Sequence, residues 1–123
     1  MICGIGIDMT TIDRFASWID KPELIDRFFN SREKCYDKST GYMKEHYAVR
    51  FAAKEAFGKA LGTGITGFNL CDLYIQNDKA GKPELIVTGS ARQKLEQMYG
   101  DCRLFVSLTH EKNNAVAVVI IEK

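Results

Sequence analysis

Two carboxylates carry the first chemical signal in the sequence: Asp8, at the end of a short apolar run, and Glu55, inside a long helical pattern. Paired hard oxygen donors suit magnesium, which takes one or two carboxylates and keeps positions for water and phosphate oxygens. Lys59 follows Glu55 by one helical turn, and Gly62-Thr63-Gly64 offers backbone with little side chain just beyond. Local roles fit the same residues: Asp8 as the cap of a helix starting near Thr11, and Glu55 in an i,i+4 pair with Lys59. The glycine loop follows a helix C-terminus, where the macrodipole is negative, so a phosphate would settle there only if Lys59 or a metal offset that charge. The Walker and Rossmann patterns, which put glycines before a helix N-terminus, are excluded. Gly81-Lys82-Pro83 reads as a hairpin turn that could also give a flat ring a rigid wall and a phosphate a point charge. Ser107-Leu108-Thr109-His110 ends a strand with two hydroxyls and a histidine, all able to bond a phosphate. Ser107 lacks the G-x-S-x-G elbow of a serine hydrolase.

The elements that must position these groups follow from periodicity. Ile2 to Ile7 alternates as a strand, with Cys3, Ile5 and Ile7 on one face and Gly4, Gly6 and Asp8 on the other, which leaves bare backbone for something to approach closely. A helix is predicted from Thr10 or Thr11 to Ile19, a second from Glu23 to Phe29 behind an aspartate cap and Pro22, and a third after the capping box Asn30-Ser31-Arg32-Glu33, closed by Gly41. The longest helix spans Tyr42 to Leu61 and stops at Gly62. It carries a broad apolar face at Met43, Tyr47, Phe51, Gly58 and Leu61 beside a close-packing stripe of Ala48, Ala52 and Ala56. Glu55 lies between the two, at the edge of buried surface, where it needs a partner. Strands are predicted at Leu70 to Ile75, Glu84 to Thr88, Arg103 to Leu108 and Ala115 to Ile121, with a helix at Ser90 to Tyr99. The last strand is apolar on both faces, and the C-terminal pair of strands is expected at the centre of the sheet. Helices gathered in the first half and strands mostly in the second give an α+β fold in one domain of 123 residues.

Composition narrows the function classes. Seventeen basic against sixteen acidic residues leave a formal charge of +1, which supplies no general field for a nucleic acid. The apolar start is too short for a signal segment or a membrane span, which points to a cytoplasmic chain with no membrane partner. Cys3, Cys35, Cys71 and Cys102 form no C-x-x-C pair and are read as thiols packed as small hydrophobes. Residues 32–59 hold seven basic and four acidic side chains, a solvated helix face or a modest attraction for an acidic partner.

Together these segments resemble the stand-alone holo-[acyl-carrier-protein] synthases, the short type of 4′-phosphopantetheinyl transferase, over nearly the whole chain. The resemblance rests on Gly4-Ile5-Gly6-Ile7-Asp8 with Arg14-Phe15, on the highly specific run Arg50-Phe51-Ala52-Ala53-Lys54-Glu55-Ala56-Phe57-Gly58-Lys59-Ala60-Leu61-Gly62-Thr63-Gly64, and on the two weaker segments around Lys82 and His110. Threonine stands at position 109 where the family usually has serine, and Val49 precedes Arg50 where glycine is common.

The resemblance implies that Asp8 and Glu55 hold magnesium. It further implies that coenzyme A places its phosphates near Lys59 and Gly62, Thr63 and Gly64, and its 3′-phosphoadenosine near Lys82, Pro83, Thr109 and His110, while Arg14 contacts the carrier protein. The implied reaction moves the 4′-phosphopantetheine arm of coenzyme A to a serine of apo-acyl carrier protein, in support of fatty acid biosynthesis; Glu55, directly or through a metal-bound water, is the candidate base, since a carboxylate beside the attacking oxygen can accept its proton. A homotrimer with active sites at subunit interfaces is implied as well. Two other classes stay open on the residues: a module that binds acidic helical proteins through Arg14 and Arg50 without magnesium, and a magnesium-dependent nuclease built on Asp8, Glu55 and Lys59.

Overall fold

A computed structural model describes all of residues 1–123. Five strands and three α-helices follow one another as β1 (Ile2–Thr11), α1 (Pro22–Phe28), α2 (Thr40–Leu61), β2 (Leu73–Asn77), β3 (Pro83–Val87), α3 (Gly89–Tyr99), β4 (Arg103–His110) and β5 (Asn114–Glu122). Strands β1, β5 and β4 form an antiparallel sheet with β5 in the middle and β4, expected beside it at the centre, on an edge, and β2 and β3 form a separate antiparallel hairpin.

The long helix explains the arrangement. Ser39 accepts a hydrogen bond from the N–H of Tyr42 and starts α2, and Gly62, with φ of 82°, ends it. The alanine stripe Ala48, Ala52 and Ala56 is fully buried against the three-stranded sheet. Gly4 and Gly6 are what the helix packs on: a Cβ at Gly6 would lie 1.8 Å from the carbonyl oxygen of Ala56, and one at Gly4 would lie 2.1 Å from that of Ala60. The bare face of β1 therefore receives helix backbone. Gly6→Ala is expected to destabilise the fold toward or beyond the upper end of the ~1–3 kcal/mol typical of overpacking, because the obstacle is main chain and cannot change rotamer. Thermal melting of that single variant checks it.

Several predicted elements differ. The helix expected after Thr10 is a single 3₁₀ turn, Ile12–Phe15, because β1 continues through Thr10 and Thr11, which pair with Ala115 and Asn114 of β5. Branched Cβ atoms favour that extended state. Asp8 consequently sits inside the strand, opposite Ala117, and caps nothing. Lys21 replaces the expected aspartate as the N-cap of α1. The capping box at Asn30 and Glu33 forms with both hydrogen bonds, yet it closes only the 3₁₀ turn Ser31–Glu33. Beyond that turn the chain is diverted, with the N–H of Cys35 donating to the Tyr47 hydroxyl. Gly41 lies within the first turn of α2 instead of ending a helix. Leu70–Asp72 is a 3₁₀ turn ahead of β2, and the remaining boundaries agree to within a few residues. The expectation that β5 is covered on both faces holds for one: Ala115, Ala117, Val119 and Ile121 are fully buried, while Val116, Val118 and Ile120 are half-buried. The four cysteines are unpaired and half-buried, so they border the core without filling it.

Candidate active site

Close contact between β1 and α2 assembles the carboxylates. Asp8 is the next inward-facing residue after Gly6, and the helix lying on those glycines presents Glu55 and Lys59 beside it. Lys59 Nζ donates to Asp8 Oδ1 at 3.1 Å. Glu55 takes part in no ion pair, so the local roles considered for both carboxylates are not the ones they play. Burial raises the Glu55 pKa, and the negative charge of Asp8 raises it further, with Arg14 and Lys59 opposing. Arg14 reaches this centre from the 3₁₀ turn, its guanidinium 5.1 Å from the Phe51 ring centroid, 5.5 Å from Phe15 and 5.6 Å from Trp18. Phe15 and Trp18 pack tilted and edge-on against each other and against Phe51 of α2, and fix the turn that carries Arg14. Two carboxylates of like charge, one of them penalised for ionising, make a donor set of hard oxygens that a divalent cation of the magnesium type fits.

The Gly62–Gly64 turn borders this centre but is less open than its composition suggests. The N–H groups of Gly62, Thr63 and Gly64 all donate back to the Gly58 carbonyl, at 3.1, 3.3 and 3.1 Å. What the turn offers is space, since nothing lies within 4 Å of a Cβ built at Gly62 or Gly64. Gly58 makes this fold-back feasible, because a Cβ there would meet the Gly64 backbone at 2.6 Å.

The other predicted residues lie along the opposite edge of the sheet. Lys82 and Pro83 follow a turn pinned by Asp78, whose carboxylate accepts the N–H groups of Ala80 and Lys82. They border a cleft of about 460 Å³ shared with Leu104, Phe105 and Val106 of β4. Pairing parity separates Thr109 from the carboxylates: Asp8, Ala117 and Leu108 form one cross-strand row on the inner face, while Met9, Val116 and Thr109 form the next row and point outward. His110 faces inward, two strand spacings from β1, about 10 Å. One chain thus brings together Asp8, Glu55, Lys59 and Arg14, with the Gly62–Gly64 turn beside them, and keeps Lys82, Pro83, Thr109 and His110 apart from them.

Arg50, His46 and Lys54 take places that sequence reasoning did not give them. His110 shares a cleft of about 190 Å³ with Tyr42, Glu45, His46, Val49 and Arg50. Arg50 donates through Nη1 to the His46 carbonyl, and its buried Nε has no partner. His46 bonds the Glu33 carbonyl through Nε2 and is held neutral, its pKa lowered to about 4 by burial and by Arg50. Lys54, counted above among a solvated set, is 1% exposed and forms an ion pair with buried Glu33 at 2.7 Å. Helical phase with Met43, Tyr47 and Leu61 was the available signal that positions 50 and 54 turn inward; the partner Glu33, on another element, left none.

Comparison with known proteins agrees with this geometry. The family model of the 4′-phosphopantetheinyl transferase superfamily matches residues 4–118. A holo-[acyl-carrier-protein] synthase of Treponema denticola is 49% identical over 124 residues, covering 99% of each chain. One from Geotalea daltonii is 41% identical over the full length of both. Among solved structures, a holo-(acyl-carrier-protein) synthase from Bacillus anthracis in complex with CoA (3′,5′-ADP) superposes with a TM-score of 0.81 at 34% identity, covering 100% of this chain and 98% of that one. The holo-[acyl-carrier-protein] synthase of Neisseria meningitidis gives 0.80 at 32% identity, with both chains fully covered. The inward glycines, the carboxylate pair they bring together and these full-length likenesses lead to one conclusion: the chain belongs to the 4′-phosphopantetheinyl transferase superfamily, among its holo-[acyl-carrier-protein] synthases.

Proposed function

We propose that this chain transfers the 4′-phosphopantetheine arm of coenzyme A to a serine hydroxyl of apo-acyl carrier protein, in the cytoplasm and in the service of fatty acid biosynthesis. The observation that carries the reading is the cluster of Asp8, Glu55 and Lys59 beside the open Gly62–Gly64 turn. The serine oxygen bonds to the phosphorus that bears pantetheine, the bond from that phosphorus to the bridging oxygen breaks, and adenosine 3′,5′-bisphosphate leaves with the electron pair. Glu55 accepts the serine proton, a role suited to a carboxylate whose pKa is already raised. Lys59 offsets the negative end of α2, so that pyrophosphate can rest near the turn. Arg14, exposed on its aromatic platform, faces the carrier. Asp8 and Glu55 would hold magnesium, which when bound supplies neutralising charge for the departing phosphate.

The adenosine-side residues are proposed to come from a second copy in a homotrimer. The outward face of the sheet supports this: Ile5, Ile7, Met9 and Phe105 are 61%, 58%, 67% and 43% exposed and flank the half-buried Val116, Val118 and Ile120. An apolar stripe of that kind invites association. Thr109 shares the face with Met9, so association there carries Thr109, with Lys82, Pro83 and His110 on the same edge, toward a neighbour's carboxylates. In that arrangement the unpartnered Arg50 Nε, in the cleft with His110, is available to the 3′-phosphate. Sedimentation at micromolar concentration should give a trimer, and a monomer would overturn the shared site.

The reaction itself is tested by the intact mass of apo-carrier incubated with the protein and coenzyme A. A gain of one phosphopantetheine arm that depends on magnesium and is lost with chelator is expected. No gain with several carriers, from folded protein that binds magnesium, would overturn the reading.

A further inference from the structure

The turn proposed to receive the pyrophosphate is only the start of a longer loop, and that loop is tied to an element the reaction does not otherwise use. After Gly64 the chain runs to Asn69, where the main-chain N–H donates to the Ser90 hydroxyl of α3 at 2.8 Å. One helical turn along α3, on the same face, Lys94 donates from Nζ to the Thr66 carbonyl. Its ammonium also lies 5.5 Å from the centroid of Phe68, and Phe68 packs edge-on against Phe57 of α2, the ring centroids 5.5 Å apart. Gly67 gives Lys94 its room: φ there is +86°, and a Cβ would stand 2.9 Å from Nζ. Within the loop, Thr66 Oγ1 donates to the Thr63 carbonyl at 3.0 Å and Thr63 Oγ1 to the Gly64 carbonyl at 3.2 Å. A chain of contacts therefore leads from Lys94 through Thr66 to Thr63. The anchor is itself held, since Asp72 accepts the Ser90 N–H at 2.9 Å and the Ser90 hydroxyl at 2.5 Å.

We propose that Lys94 is a positioning residue for coenzyme A, holding the 63–69 loop through the Thr66 carbonyl and the Phe68 ring so that the Gly62–Gly64 turn keeps the shape that accepts the pyrophosphate. It rests on the reading that this turn meets coenzyme A. The ammonium of Lys94 contacts only the loop and touches neither carboxylate, so its loss acts on coenzyme A binding and leaves the chemical step and the carrier surface alone. An anchor of one charge-assisted hydrogen bond and one cation–π contact sets the scale of the effect.

Steady-state kinetics with coenzyme A and apo-carrier varied independently tests this, together with amide hydrogen exchange over residues 63–68. Lys94→Met keeps the aliphatic stem and removes the ammonium. It is expected to raise KM for coenzyme A about five- to tenfold, to leave kcat and the carrier KM within about twofold, and to speed exchange in the loop. Lys94→Arg, which retains a donor and a cation, should restore the KM. Thr63→Glu probes the underlying reading separately, because a carboxylate on the turn repels pyrophosphate whatever Lys94 does. If Thr63→Glu raises KM for coenzyme A and Lys94→Met does not, the positioning role is wrong. If neither changes it, the contact between turn and coenzyme A is wrong and the proposal goes with it.

Discussion

Glu55→Gln is expected to lower kcat by about 10²- to 10⁴-fold while the protein remains folded, the range associated with loss of a positioned proton acceptor. The amide keeps the shape of the side chain and its place between the aromatic face and the alanine stripe, but it neither accepts the serine proton nor contributes charge beside Asp8. The structure adds a second readout. Burial and Asp8 both raise the Glu55 pKa, so at neutral pH the native state is penalised for carrying that charge, more so than the unfolded chain. The metal-free variant should therefore melt no lower than the wild type even as turnover collapses, a separation typical of residues kept for function at the expense of stability. Wild-type turnover in a variant that binds magnesium and coenzyme A normally would remove Glu55 from the mechanism.

Glu33→Ala is expected to have the largest effect on stability. Lys54 Nζ has three partners, Glu33 Oε1 at 2.7 Å and the carbonyls of Leu70 and Leu73 at 2.8 and 2.7 Å. Glu33 in turn accepts the N–H groups of Asn30 and Ile75, each at 3.1 Å. This one pair joins the Ser31–Glu33 turn, the start of the β2–β3 hairpin and α2 through the core. Truncating Glu33 leaves a buried ammonium short of its counter-charge and two N–H groups without acceptors, a loss of about 3–5 kcal/mol. For a domain of this size the midpoint of thermal unfolding should fall by more than about 10 °C. The paired change Glu33→Met with Lys54→Met should recover the part due to the uncompensated charge and no more, because the Asn30 and Ile75 N–H groups and the Leu70 and Leu73 carbonyls still lose their partners. A Glu33→Ala midpoint within about 2 °C of wild type would mean that the pair contributes little.

Local chemistry made parts of this molecule legible in advance. The inward glycines of β1, the alanine stripe and the left-handed stop at Gly62 each have a signature within a few residues: the first two pointed to close approach, the third to where the long helix ends. Elements whose ends depend on distant partners were misjudged. Thr10 and Thr11 look like a helix start until β5 offers them a ladder. The capping box at Asn30 looks like the start of a helix until Glu33 is seen to serve Lys54 as well. The separation of Lys82, Pro83, Thr109 and His110 from the two carboxylates had no local signal at all, since it follows from the order β1-β5-β4 and from which side of the pleat Thr109 occupies.

The contact between Gly6 and Ala56 also limits how the site can be re-engineered. No side chain separates strand from helix there, so nothing is left to trim, and any addition begins with an atom 1.8 Å from a carbonyl oxygen. Substitution at this seam can push α2 away from β1 but cannot draw it nearer. Directed evolution of the proposed cation site is therefore one-sided: substitution at the seam can open the space between Asp8 and Glu55 for a larger ion but cannot narrow it for a smaller one.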